Sequence, residues 1–293
     1  MNKNSIDQTK CKKCKLCIEV CPVHCIGVDT DGAVNFIHHR EDICLQCGHC
    51  MAICRTEAVS IQGYSYQENF FPLPRNTITD TAFMDFIASR RSIRNYRNKA
   101  VHREVINKIL DSVRFAPYGA EPDNVEITII NNRTIIEHAL PYIAEFMDSI
   151  VQWIDNPIAR FMIKQKIELE TFNTIKNHLY PMAKMGNYKL KYGDSITRNA
   201  PVLMIFHAAK GAEEHTNNAM IYASYAMLTA HAYGLGALMN GIVPAAINKV
   251  SAVRKIFSIP DTHEAVITVL IGYPKYTFSK SIRRRKKKTH WIE

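Results

Sequence analysis

The sequence predicts an α+β protein whose first fifth forms a separate, cysteine-rich module. Three observations carry that expectation. All nine cysteines fall between residues 11 and 54, eight of them in two copies of C-x2-C-x2-C-x3-C. Beyond Ile61 helical periodicity outweighs strand candidates, with no regular strand–helix–strand alternation. The charge is also uneven: residues 1–63 hold seven basic and seven acidic side chains, whereas 275–293 hold eight basic and one acidic. The expected organisation is a module over 1–63, an extended linker over 64–80 and a larger domain over 81–293.

Composition narrows the class. With 47% hydrophobic and 22% charged residues in 293, the chain is globular rather than disordered. Thr216–Asn248 contains no Asp, Glu, Lys or Arg, but Asn217, Asn218, His231, Gly234, Asn240 and Pro244 interrupt it well short of a membrane span. A buried helix followed by a buried strand accounts for it. The opening "MNKNSIDQTK" has no apolar secretory segment, so a cytoplasmic location is expected.

The cysteine runs are "CKKCKLCIEVCP" (11–22) and "CLQCGHCMAIC" (44–54). Three thiolates three residues apart can wrap the corners of a compact cube, but a fourth on the same loop cannot reach round it. Crossing the fourth ligands solves this, as in two-cluster bacterial ferredoxins. One [4Fe–4S] cluster is then expected on Cys11, Cys14, Cys17 and Cys54, the other on Cys44, Cys47, Cys50 and Cys21. Structural zinc usually pairs two C-x2-C hooks across a longer loop, and a disulfide framework needs an oxidising compartment. Both fit less well. The two copies are offset by 33 residues, so Cys25 stands where its twin has Ala58, and a small buried residue is expected there. His24 and His49 lie beside ligands without a metal spacing of their own and are expected at the surface. Arg55 follows Cys54 where Pro22 follows Cys21, placing a cation beside one cluster.

After the linker, "GYSYQENFFPLPRNTITDT", Thr81–Ala88 shows one apolar helical face capped by Thr79 or Asp80. A second amphipathic helix is expected from His102 to Phe115, and longer ones over Thr134–Val151, Ile158–Leu179 and Ala219–Tyr233, with a short one after Pro244. "VEITII" (125–130), "VLMIF" (202–206) and "AVITVLI" (265–271) are the strand candidates.

"SRRSIRNY" (89–96) sets three arginines and a serine at the end of a helix, the forks and hydroxyl that a phosphate and a polyhydroxyl chain require. "RFAPYGAEPDNVEITII" (114–130), "NAPVLMIFHA" (199–208), "AHAYGLGALMNGI" (230–242) and "VLIGYPK" (269–275) follow. In that order the segments resemble the nitroreductase family of FMN-dependent oxidoreductases, in particular the branch with an N-terminal two-cluster ferredoxin domain. The resemblance covers essentially the whole chain.

It implies a nitroreductase-like fold, an antiparallel sheet flanked by helices, with FMN at a homodimer interface. Arg90 and Ser92 would meet the flavin phosphate, Arg91 the ribityl chain and Arg94 the N1–O2 edge of the ring. Pro117, Tyr118 and Gly119 match the segment that reaches the flavin from the second subunit. Asn240 and Gly241 match the backbone facing flavin N5, and Arg284 the basic residue closing over the phosphate before a C-terminal tryptophan, here Trp291. Where the family has P-T/S-G-x-N-x-Q, Glu121 and Asp123 replace the two amides, so Glu121 is carried as a flavin-loop residue whose carboxylate, when ionised, only accepts.

"GLGALMNG" (234–241) is not G-x-G-x-x-G and supports no Rossmann site, which leaves NAD(P)H open as a donor without a motif of its own. The RRRKKK run (283–288) is expected as a solvated tail rather than a nucleic-acid patch. The helical excursion over 140–194 is expected mostly in the core; in the family that region caps the active site.

The expected function is an iron–sulfur flavoprotein oxidoreductase. Electrons from an external low-potential donor, a ferredoxin or similar, would pass through two [4Fe–4S] clusters to FMN. FMN itself would carry the chemistry onto a nitroaromatic, quinone or activated alkene. The alternative is an electron-transfer or flavin-handling protein without nitroreductase turnover.

Overall fold

The computed structural model describes residues 4–119, 122–186, 188 and 190–293. The chain divides into two compact units, Met1–Ile78 and Thr79–Glu293.

The first unit is built twice over. Short strands β1 (Ser5–Ile6), β2 (Ile26–Val28), β3 (Val34–Phe36) and β4 (Val59–Ser60) form two antiparallel pairs, β1 with β4 and β2 with β3. Each cysteine run leads into a short helix, α1 (Leu16–Glu19) or α2 (His49–Ile53). The 33-residue repeat extends to the backbone. Left-handed residues come in equivalent pairs: Lys13 (φ 53°) with Gln46 (48°), Lys15 (64°) with Gly48 (74°), and His24 (51°) with Glu57 (52°). Five of these six carry a side chain, an uncommon conformation for non-glycine residues that recurs at equivalent positions of the two copies.

The expectation of an extended linker over 64–80 needs correction at both ends. Tyr66–Asn69 forms α3, whose Ser65 cap accepts from the Glu68 N–H, and Tyr64, Tyr66 and Phe70 pack on the module core around Ile26, Met51 and Val59. Three aromatic rings in seven residues carry enough apolar surface to hold this segment down. At the far end α4 (Asp80–Ser89) begins, capped by Thr79.

In the second unit an antiparallel sheet runs in the order β5 (Val125–Ile130), β6 (Val202–Ala209), β8 (His263–Gly272), β7 (Gly236–Asn240). The α+β expectation holds. Both faces of the sheet are covered, which is why β6 and β8 are nearly continuous apolar runs. Val202, Met204 and Phe206 of β6 and Ile267, Val269 and Ile271 of β8 pack towards α5 (Arg103–Val113) and α10 (His215–Ala232). Leu203, Ile205 and Leu270 enter the opposite core with α6 (Arg133–Asp155), α11 (Ile242–Lys249) and α12 (Ser251–Ile256).

The helix expected over 158–179 is broken. Asn156 caps α7 (Pro157–Lys166), Ile167 is extended, and α8 (Leu169–Thr174) passes through a π-helical turn at Ile175–Leu179 into α9 (Tyr180–Lys184). Only Phe172 and Ala183 are buried in α8 and α9, and no residue of α7 is, so packing does not enforce one straight helix.

Candidate functional site

The described residues form two cysteine cages and one basic cleft. In the first unit, Cys11, Cys14, Cys17 and Cys54 line one cavity, and Cys21, Cys44, Cys47 and Cys50 line another. Each cage draws three sulfurs from one run and the fourth from the other, the grouping the spacing leads one to expect. The fourth sulfurs have equivalent surroundings: Cys21 Sγ accepts the Cys25 N–H at 3.2 Å, and Cys54 Sγ accepts the Ala58 N–H at 3.3 Å.

The cages fit a polycationic guest. Burial, then the charges of Cys14, Cys54 and Cys11, push the Cys17 thiol up. Cys50 is pushed up to about 12 by burial, with Cys47, Cys44 and Cys21 adding to it. Cys54 moves the other way: burial raises it, but hydrogen bonds from the Ala58 N–H and from Thr56 outweigh that and lower it. Four sulfurs gathered in each cage offer thiolate ligands that a positively charged guest would stabilise. Cys25 is fully buried, faces the Arg40 carbonyl at 3.0 Å and is raised to about 11 by burial, the environment of an inert thiol. Arg55 lines the first cage with Lys12 and Lys15. His24 and His49 are exposed, His49 at the rim of the second cage.

In the second unit the segment after α4 is pinned to the sheet. Ser92 bridges Ala237 in parallel and the Ile93 N–H donates to the Ala237 carbonyl at 3.1 Å. Gly236 makes this approach possible, since a Cβ there would lie 2.5 Å from Ile93 Cγ1. Arg91 donates to the Arg90 and Ala88 carbonyls and, at 2.5 Å, to Ser281 Oγ, which itself donates to the Ala88 carbonyl. That contact holds the start of the C-terminal segment beside the arginines.

Arg90 is the unusual member. Its Nη1 is buried and has no hydrogen-bond partner among the described residues. Burial, then Arg91 and Arg284, lower its guanidinium pKa. A buried donor facing two further cations fits an anionic oxygen, and a phosphate meets that requirement. The cluster therefore fits the phosphate end of FMN.

A cavity of about 540 Å³ brings Arg94, Asn240 and Gly241 together. Asn240 is held from both ends: its Nδ2 donates to the Ile196 carbonyl at 2.8 Å, and its Oδ1 accepts the Ile242 and Val243 N–H groups at the start of α11. Met182, Met185 and Tyr188 form another wall, from the segment after the π-helical turn, with Arg198 beside them in a left-handed conformation (φ 59°). Met182 lies in the helical excursion that the family resemblance expects to cap the site, whereas nothing in the sequence singled out Met185 or Tyr188.

Pro117, Tyr118 and Gly119 do not line that cavity. Buried Asn218 of α10 anchors their loop, accepting the Gly119 N–H at 2.8 Å and donating to the Gly119 carbonyl at 2.9 Å. Glu121 lies outside the described residues. Residues 283–288 are exposed and without helix or strand, and among the described residues no helix is long and apolar enough to cross a membrane.

Comparison with known proteins bears on both units. Residues 87–273 match the nitroreductase family and residues 10–58 the 4Fe-4S dicluster domain. The chain is 24% identical over 195 residues, 65% of its length and 76% of the relative's, to a Methanothermobacter thermautotrophicus protein named for NADH dehydrogenase/NAD(P)H nitroreductase activity. Over 56 residues, 19% of this chain and 59% of the relative, it is 38% identical to a 7Fe ferredoxin of Hydrogenibacillus schlegelii. In fold it is similar to a nitroreductase with bound FMN from Bacteroides fragilis (TM-score 0.52, 17% identity, 71% of this chain and 97% of that one). A second nitroreductase with bound FMN, from Desulfitobacterium hafniense, compares alike (TM-score 0.52, 15% identity, 72% and 97%). The chain belongs to the nitroreductase family of oxidoreductases and carries a 4Fe–4S dicluster domain ahead of the family's own.

Proposed function

We propose that the chain is an iron–sulfur flavoprotein oxidoreductase. Its cysteine module takes single electrons from a low-potential donor, and its basic cleft delivers them, two at a time, to a small organic acceptor: a nitroaromatic, a quinone or an activated alkene. The observation that carries the flavin half is Arg90, a buried unpaired donor beside Arg91 and Arg284. FMN, when bound, supplies hydride or single-electron chemistry.

The protein's own groups do the rest. Arg90, Ser92 and Arg284 hold the phosphate and Arg91 orients the chain next to it. Arg94, on the rim of the cleft, places a cation where a ring gaining negative charge would lie. The Asn240–Gly241 backbone is fixed by the two-ended grip on Asn240. Met182, Met185 and Tyr188 offer an apolar, polarisable wall suited to a flat acceptor. Pro117–Gly119, anchored away from the cleft of their own chain, complete the site of a second copy in a homodimer.

The test is anaerobic preparation with iron and sulfide, followed by flavin and metal analysis and turnover of a nitroaromatic with dithionite or reduced ferredoxin. The expected result is about eight irons and one FMN per chain, with turnover. Iron without flavin overturns the proposal, and bound flavin without turnover replaces it with the electron-transfer reading.

A further inference from the structure

At the end of the sheet where β5 and β8 begin and β6 finishes, three side chains converge that the flavin cleft and the cysteine cages do not use. Glu126 of β5 is the direct cross-strand partner of His207 on β6, and His263 opens β8. One potential ligand atom from each lies within 4.8 Å of the others. The two imidazoles face each other through Nδ1, 2.9 Å apart, and Glu126 Oε1 is 3.9 Å from His263 Nε2.

We infer that Glu126, His207 and His263 form a binding site for a divalent transition-metal ion of the zinc class. Four features support it. Two imidazole nitrogens bound to one tetrahedral zinc stand about 3.3 Å apart, given zinc–nitrogen bonds of about 2.0–2.1 Å. The facing Nδ1 atoms would need to part by only about 0.4 Å. Secondly, the far nitrogen of His207 has a partner: Nε2 lies 2.8 Å from Thr128 Oγ1, a hydroxyl that accepts from the Nε2–H tautomer, the one whose Nδ1 lone pair is free for the ion.

Thirdly, the backbone is built for the arrangement. The β6–β8 register shifts between Phe206 and His207, and a bulge of this kind re-aims the side chain that follows it. His207 is thereby buried (2% exposed) within reach of His263, which sits on β8 two residues before Ala265, the cross-strand partner of His207. Fourthly, access is graded. The His263 side chain is 14% exposed and the Glu126 side chain 62%, so the two imidazoles form a recessed floor and an exposed carboxylate completes the set from the solvent side. A fourth position remains for water.

Arg254 is the nearby cation, but its Nη1 is committed to the Pro260 and His263 carbonyls and helps fix the β8 end of the site. Uptake balances simply. In the metal-free pair one Nδ1 carries the proton lying between the two rings. On metal binding that ring keeps its proton on Nε2 instead, so two neutral imidazoles take the ion with no net proton release. The ion ties β5, β6 and β8 together.

The probe is zinc itself, applied to cluster- and flavin-loaded full-length protein under anaerobic equilibrium dialysis, with zinc and iron counted per chain. The wild type is expected to hold one zinc beyond its iron, with a raised melting temperature. His263→Gln should abolish that zinc, and Glu126→Gln should weaken it by about tenfold or more. Both side chains reach solvent, so the variants should match the wild-type melting temperature without zinc. Zinc trapped in a damaged cysteine cage would be indifferent to His263→Gln. The inference is overturned if the wild type holds no zinc at micromolar concentrations, if His263→Gln holds as much, or if Glu126→Gln binds it equally well.

Discussion

Replacing Arg90 by glutamine removes a charge that the described residues of the chain do not satisfy. Nη1 has no partner, and Arg91 and Arg284 push against it. If a phosphate dianion is the missing partner, the guanidinium contributes a charge-assisted hydrogen bond, in the range of about 1.5–3 kcal/mol. At about 1.4 kcal/mol per decade, FMN affinity should fall about 10- to 150-fold, nearer the lower figure because Arg90 is only half-buried. Riboflavin lacks the phosphate, so its weaker binding should change by less than about threefold. Without flavin the substitution relieves crowding of like charges, so the melting temperature should not fall. Flavin-fluorescence titrations with FMN and with riboflavin, alongside melting curves, supply all the readouts. Equal losses for FMN and riboflavin would mean that Arg90 acts on the ring or on the fold, and the phosphate argument would fail.

Other perturbations address the remaining parts. Gly236→Ala places a methyl 2.5 Å from Ile93 Cγ1, so the segment carrying Arg90–Arg94 must shift; a loss of about 1–3 kcal/mol in denaturant unfolding and weaker FMN binding are expected. Cys54→Ala should remove the cluster of the first run, not the second, lowering iron from about eight to about four per chain, whereas Cys25→Ala should leave iron unchanged. Arg55→Pro should lower the potential of the cluster held by Cys11, Cys14, Cys17 and Cys54 and spare the other, because Arg55 lines only that cage; redox titration followed by EPR checks it. Asn218→Ala should free the Pro117–Gly119 loop and weaken FMN binding, detected in the same titration, while iron content stays constant.

How much of this was legible without the fold follows from the range of each interaction. The cysteine cages could be expected from spacing because three ligands of each lie within one short loop, and the reach of that loop dictates where the fourth must come from. The apolar runs of β6 and β8 likewise announce strands covered on both faces. Helix continuity was harder. The stretch 158–179 has helical periodicity throughout, yet few of its residues are buried, so nothing compels one axis and a π-helical turn intervenes. The aromatic segment Tyr64–Phe70 erred the other way, since proline and glycine suggested a linker while three rings found a surface to cover.

Ligand number in the cages and the arginine-rich turn were therefore properties of the amino-acid order itself, because each depends on residues close together along the chain; the antiparallel sheet was expected from the family resemblance. Only the tertiary structure decided that Arg90 is left without a partner, that Gly236 must lack a side chain for Ile93 to approach, and that Met182, Met185 and Tyr188 face Asn240. It alone brought Glu126, His207 and His263 together. Those three are single residues on separate strands, unremarkable in composition, and they meet because hydrogen-bond register and one bulge align them. Register is set by the packing of both sheet faces at once, a condition that no local window of sequence contains.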